Sequence, residues 1–194
     1  MAKAGNDPLY SSNDHTWMTP PWLVDALLQF ENRTHFDLDP ACTEKNIPAF
    51  VHFTQPFYDG ASESWDVTMN GDALVFINPE YGTRLKQVWM PKIFKEASAG
   101  RRIWALLPAR TETEYQHRYG LAKAGFVVFI YQRICFWLDG VPYYVADPKT
   151  GSLKEGVAGF PTMLLYYGDD WRAKAAKWQA DPPIKGTLMT RLTD

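Results

Sequence analysis

Short apolar runs alternate along the chain with stretches whose apolar residues recur every three or four positions, the pattern of an α/β sheet. Trp22, Leu23, Ala26, Leu27 and Phe30 lie at helical spacing behind Thr19-Pro20-Pro21, which reads as an N-cap followed by proline in the first turn. Strands are expected over 35–38, 50–53, 74–77, 103–107 and 126–131. The first ends at Asp39-Pro40, because proline cannot continue a central ladder. Leu85, Val88, Trp89, Ile93 and Phe94 predict a helix face interrupted at Pro91, and a further helix runs from about Glu112 to Ala124, with Gly125 as its C-cap. Beyond Tyr131 the pattern tightens into antiparallel strands at 134–138 and 142–145, joined by the hairpin dipeptide Asp139-Gly140. An exposed loop over 147–159 and a final strand over 162–167 follow. The expected organisation is one domain over 1–168, then a tail over 169–194 with a weak helix and a frayed end.

Composition narrows the class without changing this outline. A chain of 194 residues, 46% hydrophobic and 15% aromatic, builds its own core and is not a disordered segment. Cys42 and Cys135 are distant and form no C-x-x-C pair, so neither a disulfide framework nor a zinc knuckle is indicated. His15, His35 and His52 show no ligand spacing, and no metal is expected. The start of the chain lacks a signal-peptide run and no stretch is apolar enough to span a bilayer, so the expectation is a cytosolic protein with no membrane partner.

The net charge of −2 hides an asymmetry. Residues 1–83 carry three Lys/Arg against twelve Asp/Glu, whereas residues 84–133 carry ten against three. A basic central third, running from Arg84 through Arg101, Arg102 and Arg110 to Arg133, suits a polyanion. Solvated helix faces and structural ion pairs produce the same signal.

The chemistry concentrates at Val75-Phe76-Ile77-Asn78-Pro79-Glu80-Tyr81, an apolar strand that stops abruptly in Asn-Pro-x-Tyr. Ligands of open α/β sheets bind beyond the carboxyl ends of the strands, which directs Asn78 and Tyr81 to the functional crevice. The Asn78 side-chain oxygen and the Pro79 carbonyl are two acceptors for an exocyclic amine, and Tyr81 offers a ring to stack on the base that carries it. Asn-Pro is also an ordinary turn dipeptide, and the tetrapeptide by itself does not decide between the two readings.

The surrounding sequence does favour one. Trp17-Met18-Thr19-Pro20, Leu38-Asp39-Pro40-Ala41, Asp59-Gly60 with Trp65, Asn78-Pro79-Glu80-Tyr81, Leu106-Leu107-Pro108-Ala109-Arg110-Thr111, Arg133-Ile134-Cys135-Phe136 and Phe160-Pro161-Thr162-Met163 follow one another in order. Together they resemble the phage-type, Dam-like DNA N6-adenine methyltransferases, over about residues 14–168. Two departures stand out. Glu80 replaces the second proline of the family motif, and no glycine-rich turn follows Asp39, where Ala41 and Cys42 are the small residues. The stretch 66–72 looks like an insertion.

The resemblance implies a class I methyltransferase fold: a Rossmann-like, mostly parallel sheet with helices on both faces and an antiparallel terminal hairpin. It implies S-adenosylmethionine as cofactor, held by Trp17, Thr19, Pro20, Asp37, Asp39, Pro40, Ala41 and Asp59. Asp39 would meet the methionine ammonium and Asp59 the adenosine end; strand alternation puts Asp37 on the face of Asp39. Asn78, Pro79 and Tyr81 would be catalytic, and double-stranded DNA would be gripped by Arg84, Arg101, Arg102, Arg110 and Arg133. The implied reaction is direct transfer to adenine N6 of a flipped base. Cytosine N4, an RNA base or a protein amide are alternative acceptors, and a DNA-binding relative without catalysis is the alternative of another class.

Overall fold

The computed structural model describes residues 17–191. Its centre is a seven-stranded sheet formed by β1 (Phe36–Asp39), β2 (Ala49–His52), β3 (Leu74–Ile77), β4 (Arg102–Pro108), β5 (Phe126–Ile130), β10 (Thr162–Tyr167) and β11 (Gly186–Thr190), in the order β11-β5-β10-β4-β3-β1-β2. β1 pairs parallel with β2 and β3, and β3 with β4. β10 lies antiparallel between β4 and β5, and β11 antiparallel outside β5. The architecture is therefore α/β with a mostly parallel sheet, as the alternation of patterns requires.

The inner strands β3, β4 and β10 are nearly continuous buried runs because both their faces are covered. Leu74 and Phe76 of β3 face one layer while Val75 and Ile77 face the other. The first layer holds α1 (Pro21–Glu31) and α3 (Trp171–Ala180); the second holds α2 (Met90–Ser98), which continues a π-helical segment, Leu85–Trp89. In that segment the Met90 N–H bonds to the Leu85 oxygen five residues back, a widened turn that admits Pro91 without breaking the helix. The helix expected up to Ala124 is shorter and also π-helical, over Gln116–Leu121. Gly125 does not cap it: a Cβ there would lie 2.2 Å from the Trp171 Cβ, so glycine is required for close packing instead.

The antiparallel hairpin forms where expected but outside the main sheet, as β6 (Trp137–Leu138) and β7 (Val141–Pro142). Asp139 and Gly140 both have positive φ, 51° and 78°, the turn that matches the twist of a two-residue hairpin. The antiparallel strands that do enter the main sheet are β10 and β11. The expected loop over 147–159 contains a second small ladder, β8 (Tyr144–Ala146) with β9 (Leu153–Glu155).

The tail corrects the sequence reading most. The expected helix forms as α3, and in place of a frayed end β11 adds a strand to the main sheet. Trp171, Ala175 and Trp178 bury one stripe of α3, and the Trp178 ring packs 5.2 Å from Phe30 and 5.6 Å from Trp104. The stripe is hard to see in sequence because lysines and alanines separate its members. Two of those lysines also act inward: Lys174 bonds to Glu31 and Lys177 to the Phe30 carbonyl. Residues 192–194 lie outside the described residues. Trp178→Ala is expected to cost about 3–5 kcal/mol, the scale of a large aromatic deleted from a closed core; a urea titration would measure it, and a loss under 1 kcal/mol would return the tail to the periphery.

Among the described residues no helix is long and apolar enough to cross a membrane.

Candidate active site

The connection leaving β1 turns toward β2 and the one leaving its neighbour β3 turns the other way toward β4, so they diverge and open a crevice between the carboxyl ends of β1 and β3. A small cleft sits there, lined by Trp17, Thr19, Asp39, Cys42, Phe76 and Asn78 among others. Asp39, the last residue of β1, is only 4% exposed. Its carboxylate accepts hydrogen bonds from the Ala41 N–H at 3.2 Å and from the Cys42 thiol. Burial dominates these bonds and pushes its pKa from 3.8 up to about 7. No cation pairs with it among the described residues.

Asn78 follows β3 and faces the same cleft. Its Nδ2 donates to Thr19 Oγ1 at 3.1 Å, and its Oδ1 accepts from the Tyr81 hydroxyl at 2.6 Å. The Tyr81 ring stands edge-on to Phe160 and Phe136, with centroids at 5.4 and 6.4 Å, and burial raises its phenol pKa. Pro79 links the two and is itself buried. Glu80, in the place of the motif's second proline, is anchored: its carboxylate accepts from the Trp89 indole at 2.6 Å, and Arg84 lies 3.8 Å away.

Thr19 has a different task from the one its position before a helix suggests. α1 begins at Pro21 with Pro20 as N-cap and no side-chain capping bond. Thr19 is 3% exposed and spends its hydroxyl on Asn78. Trp17 packs edge-on against Tyr143, and Met18 exchanges two backbone hydrogen bonds with Trp137, so the β6–β7 hairpin holds this segment across the cleft.

Beyond the strand end, Pro40 is buried under Gly60, where a Cβ would approach the Pro40 oxygen to 1.8 Å; only glycine permits this contact. Ala41 also lines the cleft. Asp59, next to Gly60, bonds the Ala61 N–H and lies 3.6 Å from Arg84, outside the cleft lining. Asp37 is a correction. It shares the strand with Asp39 but accepts from the Leu74 N–H at 2.8 Å and pairs with Arg33 at 2.7 Å, which ties β1 to β3 and leaves it out of the cleft.

The five arginines separate by position. Arg101 and Arg102 precede and begin β4, at the end of the sheet opposite the crevice. Arg101 is 8% exposed, bonded to the Ala99 oxygen and paired with Asp66 and Glu96; Arg102 bonds to the Asp72 oxygen. This pair fastens the 66–72 insertion and leaves the DNA-binding assignment unsupported. Arg84, Arg110 and Arg133 lie at the crevice end. Arg84 is engaged by Asp59 and Glu80, and Arg133 donates to the Ala158 oxygen at 3.1 Å. Arg110 is exposed, and its guanidinium has no ion pair among the described residues.

Sequence reasoning passed over Cys42 as a site residue. Its spacing from Asp39 was the available signal, and its thiol, pushed up to about 12 by burial, is a hydrogen-bond donor rather than a nucleophile. No group of His, Cys, Asp and Glu among the described residues forms a metal site. Comparison with protein-family models and with curated proteins finds no match to the chain.

Proposed function

We propose that this protein transfers a methyl group from S-adenosylmethionine to the N6 amine of adenine in double-stranded DNA. The observation that carries the reading is the shared cleft: a buried carboxylate without a cation, Asp39, and an amide, Asn78, at adjoining strand ends. The motif order from Trp17 to Met163 supplies the choice of reaction.

The fit to the cofactor rests on Asp39. A buried, unpaired carboxylate is costly unless a cation completes it, and the methionine ammonium is such a cation. Ala41 and Cys42 keep the strand end free of bulk, and Asp59, outside the cleft and beside Arg84, would be the carboxylate for the adenosine end. When bound, S-adenosylmethionine supplies an electrophilic methyl group on sulfur. Asn78 Oδ1 has a second lone pair beyond the one taken by Tyr81, and it accepts an amine hydrogen as positive charge develops on nitrogen. The Pro79 carbonyl is the second acceptor. Tyr81 and Phe160, partly exposed and backed by the buried Phe136, would give an aromatic wall for a base taken out of the duplex.

The test is incubation of the protein with labelled S-adenosylmethionine and unmethylated DNA, followed by nucleoside chromatography. Label in N6-methyldeoxyadenosine supports the reading. Label in N4-methyldeoxycytidine moves the acceptor, and absence of both label and cofactor binding overturns the activity.

The arrangement of arginines carries its own expectation. Arg110→Ala should flatten the salt dependence of DNA affinity by about one unit of log–log slope, whereas Arg101→Ala should lower the melting temperature and leave the slope unchanged. Fluorescence anisotropy at several salt concentrations measures both; a slope change at Arg101 alone would reverse the orientation of DNA on the sheet.

A further inference from the structure

We infer that Thr19 is a positioning residue that sets the orientation of the Asn78 amide. This deepens the reading above and rests on it for its kinetic consequence. Three side chains, two from the turn after β3 and one from the segment before α1, form one chain of hydrogen bonds: the Tyr81 hydroxyl donates to Asn78 Oδ1 at 2.6 Å, and Asn78 Nδ2 donates to Thr19 Oγ1 at 3.1 Å. The direction of both bonds matters. An amide has two similar ends, and only the oxygen can accept from an amine. Flipped, the NH₂ would face the phenol and the oxygen would face Thr19.

Either partner alone would leave a choice, because a hydroxyl can donate or accept. Their surroundings restrict it. Thr19 is 3% exposed and Tyr81 is packed against two rings, so with the amide reversed the phenol hydrogen would face an NH₂ and lose its acceptor in a nearly dry place. The Tyr81 ring, wedged against Phe136 and Phe160, holds the hydroxyl at Oδ1. Accepting from Nδ2 also shifts electron density toward Oδ1, which strengthens the acceptor presented to the amine. Thr19 itself is held from behind: its carbonyl accepts from Asn46 Nδ2 at 3.4 Å, and its neighbour Met18 is bridged to Trp137 in the hairpin. The hairpin and the segment after β1 thus reach the catalytic amide through one hydroxyl, and this explains why Thr19 is not used to cap α1.

Thr19→Val removes the hydroxyl at nearly constant volume, and Thr19→Ser keeps it. In full-length protein labelled with ¹⁵N, the Asn78 side-chain amide protons should exchange slowly with solvent in wild type and in Thr19→Ser, and at least about tenfold faster in Thr19→Val, the factor that corresponds to a lost bond of about 1.4 kcal/mol. The turnover number should fall about 10- to 30-fold in Thr19→Val with cofactor Kd within twofold, and Thr19→Ser should recover most of it. Equal exchange in the two variants overturns the inference. So does a parallel loss of cofactor affinity, which would make Thr19 a cofactor contact. Slow exchange restored by serine in a wild-type protein that methylates nothing would uphold the positioning and reject the methyltransferase reading, so the two failures are distinct.

Discussion

Replacing Asn78 by alanine is expected to lower the turnover number by about 100-fold or more while S-adenosylmethionine affinity stays within twofold. The effect is large because the bond it removes strengthens as the reaction proceeds. An amine in the ground state donates weakly; as its nitrogen attacks, it gains positive charge and its N–H becomes a strong donor to Asn78 Oδ1. Deleting one preorganised contact of this kind costs about 10²–10³ in kcat in other active sites. Alanine also leaves the Tyr81 and Thr19 hydroxyls without the amide that joins them. Asn78→Asp separates the two consequences, because a carboxylate still accepts from Tyr81 and from the amine while Thr19 turns to donate. Single-turnover kinetics on both variants is the measurement. Near-normal methylation by Asn78→Ala would remove Asn-Pro-Glu-Tyr from the catalytic centre, whereas a loss in alanine recovered in part by aspartate supports it.

How far the site was legible in sequence depended on the range of the contact involved. Strands at 74–77 and 162–167 were visible with their boundaries, because strands covered on both faces are unbroken apolar runs that end in turn residues. The Asp139-Gly140 turn was visible because its backbone conformation restricts residue type locally. Asp39 and Asn78 were visible because strand ends in an α/β sheet share one crevice, so two local signals imply a distant meeting. Thr19 was misread: its local environment, a polar residue ahead of two prolines and an amphipathic run, matches a cap, while the bond it makes is to a residue 59 positions away. Asp37 lies away from the cleft lining: alternation gives the face of a side chain but not its partner, and Leu74 takes it. The arginine pair was misread for the reverse reason. A charge run in sequence climbs the full height of the sheet along β4, so Arg101 and Arg110 are near in sequence and at opposite ends in space.

Asp39→Asn is expected to make the protein more stable and a poorer binder of cofactor, with both effects growing as pH rises toward about 7. The pKa of Asp39 is about 3.8 in the unfolded chain and about 7 in the folded one, with burial as the main cause. Below pH 3.8 the group is protonated in both states and contributes no difference. Between 3.8 and about 7 the folded protein keeps a proton that the unfolded chain releases, so wild-type stability declines as pH rises; above about 7 the full penalty is present and constant. Asparagine never ionises and keeps an oxygen for the Ala41 N–H, so it removes that penalty. At pH 8 the gain should be about 2–4 kcal/mol, and near pH 3 it should vanish. Cofactor binding runs the other way. On the proposed reading the methionine ammonium would need the ionised carboxylate, so wild-type affinity should weaken toward tenfold per pH unit below about 7, and the variant should bind about 10- to 100-fold more weakly at pH 8 with little pH dependence. Thermal melts and titration calorimetry across pH 5–8 measure the two curves together. A variant that is stabilised at pH 8 yet binds S-adenosylmethionine as well as wild type would leave Asp39 a buried carboxylate with no ligand to explain it, and the cofactor would have to sit elsewhere on the sheet.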